Sequence, residues 1–456
     1  MKTKILRNTL FGLSVIFALA AALPVQLAGK PSRAQHPRYR LIDLGTLGGP
    51  NSSQTAPAQG VNNGGQVIAI SGTAVPDPYA PNCFQDDCFV WHAVVREING
   101  VVTDLGALPG VNNSVPTWIT ETGLIAGLSE NGLIDPLTGV PQLRAVLWNQ
   151  NRTIVDLGTL GGNSSQAFGA NSSGQAVGVA LNAISENPDF AQFMSEAPAA
   201  TQARAFLYQN GSMQDLGTLG GNDAAALVVN ESGQVAGYSY TNSTPNPTTG
   251  IPTVHPFLWT NGQMQDLGSL GGTIALPSRS PLESPPGGPV LNNRGQVVGT
   301  STLAGDDNEH AFLWTSGTMI DLGTLGGDGS QALAINEAGQ VVGRSDFSPT
   351  SPFHHAFLWQ HGTMTDLGVV APCQNSTAVV INSRGQVVAD MGACGGEGSA
   401  FVWQAGQPIA DLNTLVSPPS DLHIEGVAFI NERGEIAGIG VLPNGDTRAV
   451  LLVPLL

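Results

Sequence analysis

The sequence predicts an all-β chain: an eight-bladed β-propeller of four-stranded antiparallel blades, its ring closed by a strand from near the N-terminus. Three observations predict it. A unit of about 53 residues recurs eight times from Asp43 to Asp411. Each unit holds four short β-type runs separated by turn residues, and the two ends of the chain are complementary fragments of one unit. Self-similarity at this period implies a solenoid, a propeller or an array. A β-solenoid and a seven-bladed ring are the alternatives.

The register is set by three markers. The first is DLG, with its Asp at Asp43, Asp104, Asp156, Asp215, Asp266, Asp321 and Asp366, and at Asp411 as DLN. The second is an N-x-x-G step beginning at Asn62, Asn171, Asn230, Asn292, Asn336, Asn382 and Asn431, with Thr120 in the second unit. The third, HAFLW, is read as FVW at Phe89 to Trp91, then from Ala145, Ala205, Pro256, Ala311, Ala356, Ala400 and Ala449.

Within one unit the runs QALAIN, QVVGRS, HAFLWQ and TMTDLG are short, rich in Val, Ile, Phe and Trp, and bounded by Gly, Asn, Asp and Ser, as strands are. The N-E-A-G link between the first two reads as a tight hairpin turn whose Gly takes a positive φ without a Cβ clash. Four antiparallel strands in about 50 residues match a propeller blade. At the ends, a lone fourth strand, YRLIDLG from Tyr39, faces three C-terminal strands (GVAFIN, EIAGIG, TRAVLLV) that lack a fourth. Pairing them closes the ring and leaves no open edge.

Residues 1–34 carry Lys2, Lys4 and Arg7, an apolar run from Leu10 to Leu27, and then small residues, the order of a secretory signal peptide; residues 35–456 form one propeller domain. Cleavage after Ala20, Ala22 or Ala34 stays open. A cut after Ala34 leaves 12 Arg, no Lys and 34 acidic residues, a net charge of −22. Such a surface repels phosphate, which excludes nucleic acid and anionic membranes as partners.

Strands running A to D outward from the axis place the A–B and C–D links on one face and the B–C and D–A links on the other. The A–B and C–D links are uniformly short. The B–C links range from Thr302–Glu309 to Ala180–Gln202, so insertions accumulate on one face, where repeat arrays often bind. Cys83 and Cys88 share one B–C loop, and Cys373 and Cys394 flank one blade on the same face. Pairing 83–88 and 373–394 keeps partners local, and an exported chain keeps disulfides.

The repeated Asp of DLG reads as a turn-fixing acceptor at a strand end, since one carboxylate per loop falls short of a calcium site. The His of HAFLW (His255, His310, His355) gives way to Arg144, Arg204, Arg448 or Ser399 elsewhere, so it reads as a polar strand-entry residue. The aromatic column of Trp91, Trp148, Trp259, Trp314, Trp359 and Trp403 reads as inter-blade packing. No H-E-x-x-H, G-x-S-x-G or P-loop motif occurs.

Together, HAFLW, DLGTLGG, SQALAIN and GQVVG resemble the HAF-repeat family of extracellular repeat proteins, over nearly all of the chain after residue 40. The resemblance implies export and a repeat fold and transfers no catalytic residue. The first unit departs with CFVWHA and the second with DLGALPG and no turn Asn. The expected function is an exported binding or scaffold module for an unknown protein or saccharide, monomeric, with no cofactor or metal and no catalysis expected. The ligand is expected over the loop-rich face, at Tyr79, Asp86, Asp87, Trp118, Asp189, Phe190, Asp306, Asp307 and Glu309. The alternative is a carbohydrate-active enzyme using paired loop carboxylates, as glycoside hydrolysis requires.

Overall fold

The computed structural model describes residues 36–455 apart from 55–58, 82, 188, 191–192, 194–198, 278–287 and 393–397; the leader expected at 1–34 lies outside them. Thirty-two strands form eight four-stranded antiparallel blades, with helical turns at 189–190 and Leu412–Leu415. Six blades are separate sheets with the simple order A-B-C-D or its reverse. Two more share one sheet through a single parallel pair, Val254 with Ile274. We number the blades 1 to 8 from Gly48.

Blade 8 is built from both ends of the chain. Tyr39–Asp43 pairs antiparallel with Thr447–Pro454 over five residue pairs, from Tyr39–Pro454 to Asp43–Val450. Tyr39 is fully buried there.

Each A–B link is the hairpin expected. In all eight the Gly takes a positive φ, between 73° and 86°. In the Asn336 turn the Gly339 N–H donates to the Asn336 carbonyl (3.0 Å), and the Gln340 N–H to the Asn336 side chain (3.0 Å). A strand-A bulge beside this hairpin explains the Gly that ends GQVVG: a Cβ on Gly343 would sit 1.9 Å from the Gln331 carbonyl oxygen.

The core lies between blades. The Phe of AFLW (Phe206, Phe257, Phe312, Phe357) is fully buried, and Phe401 is 2% exposed. Trp148, Trp259 and Trp314 are buried with them, and the Trp148 Nε1–H reaches the Leu105 carbonyl of the preceding blade (2.9 Å).

Two sequence expectations change. The first unit was read out of register: Ala69 pairs with Val94 and Val67 with Arg96, so HAVVR, His92 to Arg96, fills the HAFLW column. Trp91 falls outside that column, at Gly72, where its indole N–H donates to Asp87 (2.9 Å). The B–C segments of blades 1 to 3, read as loops, are in part strand. Strand B runs on through Val67–Pro76, Ile125–Ile134 and Ala176–Ser185 because its outer residues pair again with strand C beyond a register shift, as in Ile134 with Pro141.

Candidate functional site

Repetition assigns most of the polar chemistry to fastening the ring. In every unit the Asp of DLG or DLN accepts the backbone N–H two residues on, at 2.6 to 2.8 Å, which fixes the D–A turn. The same carboxylate takes the His or Arg of the HAF column. His92, His255, His310 and His355 bond through Nδ1 to Asp104, Asp266, Asp321 and Asp366 at 2.9 to 3.0 Å, while Arg204 pairs with Asp215 at 3.0 Å and Arg144 with Asp156 at 3.4 Å.

Burial pushes Asp104 and Asp266 up, but the His hydrogen bond, the Gly N–H and the His charge outweigh it and hold both below the ordinary carboxylate range. Each pair joins strands C and D of one blade, and Arg replaces His in three blades. We therefore expect His255→Arg to leave the melting temperature unchanged and His255→Ala to cost about 0.5–1 kcal/mol, as a partly exposed ion pair does. Equal melting curves for both variants would refute the pairing as a stabiliser.

The residues expected at the site are spread over four blades. In blade 1, Asp86 is exposed, Tyr79 donates its backbone N–H to Asp77, and Asp87 accepts from Trp91 and from Asn51 (3.3 Å). In blade 2, Trp118 is buried in the core beside Ala126 and Leu147. In blade 3, Asp189 is exposed and Phe190 is buried edge-on against Tyr240 (6.0 Å).

In blade 5, Asp306 accepts from Thr302 (2.6 Å) and from the Thr273 N–H (2.7 Å). Desolvation works upward on it, and these bonds outweigh that and hold it low. Asp307 is exposed, and Glu309 bonds the Gln331 side chain. The structure does not bring these carboxylates together. Cys83 and Cys88 form the expected disulfide. Cys373 is disulfide-bonded too, while Cys394 lies outside the described residues.

Sequence reasoning missed two acid clusters on the loop-rich face. Between blades 1 and 2, buried Asn113 donates to Asp77 (3.0 Å) and to Glu130 (2.9 Å). Burial raises Glu130 above its ordinary value. Between blades 3 and 4, Asp223 is fully buried, accepts the Ala203 N–H (2.7 Å) and leaves Oδ2 without a partner among the described residues. Burial pushes it up to about 7. Glu186, held by Asn222, and the rings of Phe190, Tyr238 and Tyr240 surround this second cluster. The signal available was positional, since Asn51, Asn113 and Asn375 stand in the column that Asp223 occupies.

A third feature is an arc. The three lengthened B–C hairpins stand side by side on blades 1 to 3 and carry exposed apolar side chains: Val75 (47%), Leu133 (59%), Leu137 (60%) and Ile184 (57%). Among the described residues, no group of three acid, His or Cys side chains could hold a metal ion, and no helix is long and apolar enough to cross a membrane.

No family model matches the chain, and no curated protein does. Solved structures do. The β-propeller domain of the Trilobed protease from Pyrococcus furiosus, described as having an open velcro topology, is 8% identical with a TM-score of 0.45, over 82% of this chain and 98% of that one. Dipeptidyl peptidase 4 of Porphyromonas gingivalis is 10% identical with a TM-score of 0.45, over 83% of this chain and 56% of that one. The acylaminoacyl peptidase of Pyrococcus horikoshii is 10% identical with a TM-score of 0.40, over 86% of this chain and 57% of that one. This chain spans little more than half of the latter two.

At these identities the likeness is one of fold. The comparisons nonetheless correct the expected function. The propellers in question are parts of peptidases, a hydrolase-type frame, where a binding or scaffold module for an unknown ligand was expected. Of the loop carboxylates named for the alternative, a carbohydrate-active enzyme, Asp86, Asp189 and Asp306 stand in separate blades.

Proposed function

We propose that the chain is a hydrolase-type scaffold that works outside the cytoplasm: a closed propeller whose loop-rich face seats a hydrolytic domain or chain. The arc of hairpins on blades 1 to 3 carries this reading. Val75, Leu133, Leu137 and Ile184 are 47 to 60% exposed on neighbouring hairpins, in a chain whose other repeated features serve to hold the ring together. Grouped apolar exposure on a soluble surface marks a contact site. A closed ring gives that contact a fixed geometry, since seven blades and the shared eighth hold one another in place.

The Cys83–Cys88 disulfide points to an oxidising, extracytoplasmic compartment. Our reading takes residues 1–34 as the secretory signal, the mature chain as a secreted monomer, and the repeat as that of the HAF family. The test is capture from the host's extracytoplasmic fraction by immobilised wild-type chain and by a variant with Val75, Leu133, Leu137 and Ile184 changed to Ser. The wild type is expected to retain at least about tenfold more peptide- or ester-hydrolysing activity. Equal activity on both, or none on either, overturns the proposal.

A further inference from the structure

On the opposite face, the turns are tied to one another around the axis. The Asn of each N-x-x-G turn donates its side-chain amide to the backbone carbonyl of the next blade's turn: Asn171 to Asn230, Asn230 to Asn292, Asn292 to Asn336, Asn336 to Asn382 and Asn382 to Asn431, all at 3.0 to 3.1 Å. Asn431 closes the circle to Asn62 (2.9 Å), and Asn62 reaches Thr120 (3.1 Å). In each of these turns the same amide also bonds the Gln four residues on, or Glu435 in blade 8.

Blade 2 breaks the belt at both places. Thr120 replaces the Asn and turns its hydroxyl back onto Thr122 (3.0 Å), and Leu124 replaces the Gln. Among the described residues, the Asn171 carbonyl therefore receives its own turn's Gly174 N–H (3.1 Å) and no side-chain amide from blade 2.

A groove of about 440 Å³ lies at this seam, with Leu124 in its lining and Asn149, Gln150, Asn151, Ser172 and Ser173 around it. The C–D turn that supplies the asparagines is longer here, closed by the Arg152 N–H on the Asn149 carbonyl (2.9 Å). The equivalent turns of blades 3 to 6 have only a two-residue Asn-Gly, Ser-Gly or His-Gly tip. The Asn149 and Asn151 amide N–H groups have no protein partner among the described residues.

We propose that this gap in the belt is a binding site for a neutral oligosaccharide. The volume lies in the range of small-ligand sites, about 300–1,000 Å³. Its lining has no charged group: Arg152, beside it, is already held by Glu97 (2.6 Å) and the Gly123 carbonyl (2.9 Å). A chain of net charge −22 after the leader offers an anion nothing here, and the lining offers a cation no carboxylate. The Asn149 and Asn151 amide N–H groups can each donate to a sugar hydroxyl while their oxygens hold Thr153, and Leu124 supplies an aliphatic surface for the C–H face of a sugar ring.

The test is calorimetric titration with maltotriose, cellotriose and triacetylchitotriose. At least one is expected to bind with a dissociation constant on the order of 1 mM. Thr120→Asn with Leu124→Gln, which restores the belt pair, and Asn149→Asp with Asn151→Asp, which removes the amide N–H groups but keeps the oxygens that accept from Thr153, are each expected to weaken it at least about tenfold. Binding of none of the three up to about 20 mM overturns the proposal. So does undiminished binding by the Asn149/Asn151 variant, whose carboxylates still accept from Thr153 and so keep the turn.

Discussion

A chain that begins at Thr46, and so lacks Tyr39–Asp43, is expected to lose its cooperative unfolding transition and to self-associate. Removing the strand opens a five-pair ladder along Thr447–Pro454 and takes away the fully buried Tyr39 ring and Leu44, whose N–H donates to the Ala449 carbonyl (3.0 Å). Losing one large core ring costs about 3–5 kcal/mol and each ladder bond about 1 kcal/mol, so the total is comparable with the whole stability of an ordinary domain, about 5–15 kcal/mol. The bared edge of strand C is then a template for another chain.

Circular-dichroism melting and size-exclusion chromatography check this. A peptide of residues 36–45 added back should restore the monomer. A truncated chain that stays monomeric and melts within a few degrees of the full length would show that the ring does not depend on its closure.

That closure was legible because it needs only strand counting: a surplus strand at one end and a deficit at the other. The turn glycines were legible because a positive φ is a local requirement. What failed was a decision between two local matches. FVW at Phe89 has the aromatic look of the HAFLW column, whereas HAVVR has its spacing, with His92 twelve residues before Asp104, as Arg144 is before Asp156, where the other His units have eleven. Spacing to the partner carboxylate is the physical constraint, because His92 must reach Asp104, and it outranks resemblance.

The Asn belt was half legible. A recurrent Asn signals a turn, but the second bond of its amide crosses about 44 to 62 residues of sequence, or 369 at the closure, and no local pattern reports a cross-blade contact. The arc was misread because the pairing of strand B with strand C resumes past a bulge, and a bulge looks like a loop in sequence.

Asp223→Asn is expected to stabilise the protein at pH 8 and to change little at pH 4. The carboxyl is fully buried and its Oδ2 has no partner among the described residues; burial pushes it up to about 7, against the opposing Ala203 N–H, with Glu186 adding to the push and Arg204 resisting it. The folded chain thus keeps a proton that the unfolded chain releases near pH 4, so the folded state binds more protons and stability falls as pH rises from about 4 to about 7, then levels off.

A gap of about three units at about 1.4 kcal/mol each bounds the effect at about 4 kcal/mol. Asn keeps the bond that matters, since Asn51, Asn113 and Asn375 accept the corresponding N–H at 2.9, 2.7 and 3.0 Å. Asp390, pushed up to about 7 by burial while it accepts the Val427 N–H (2.9 Å), keeps some exposure, so solvent screening reduces its share. General repulsion within an acidic chain also lowers stability as pH rises, but it is nearly the same in wild type and variant and largely cancels in their difference. Denaturant unfolding of both from pH 4 to pH 8 isolates the residue: curves that diverge by about 2–4 kcal/mol across that window are expected, and parallel curves would mean that Asp223 ionises at its ordinary value despite its burial.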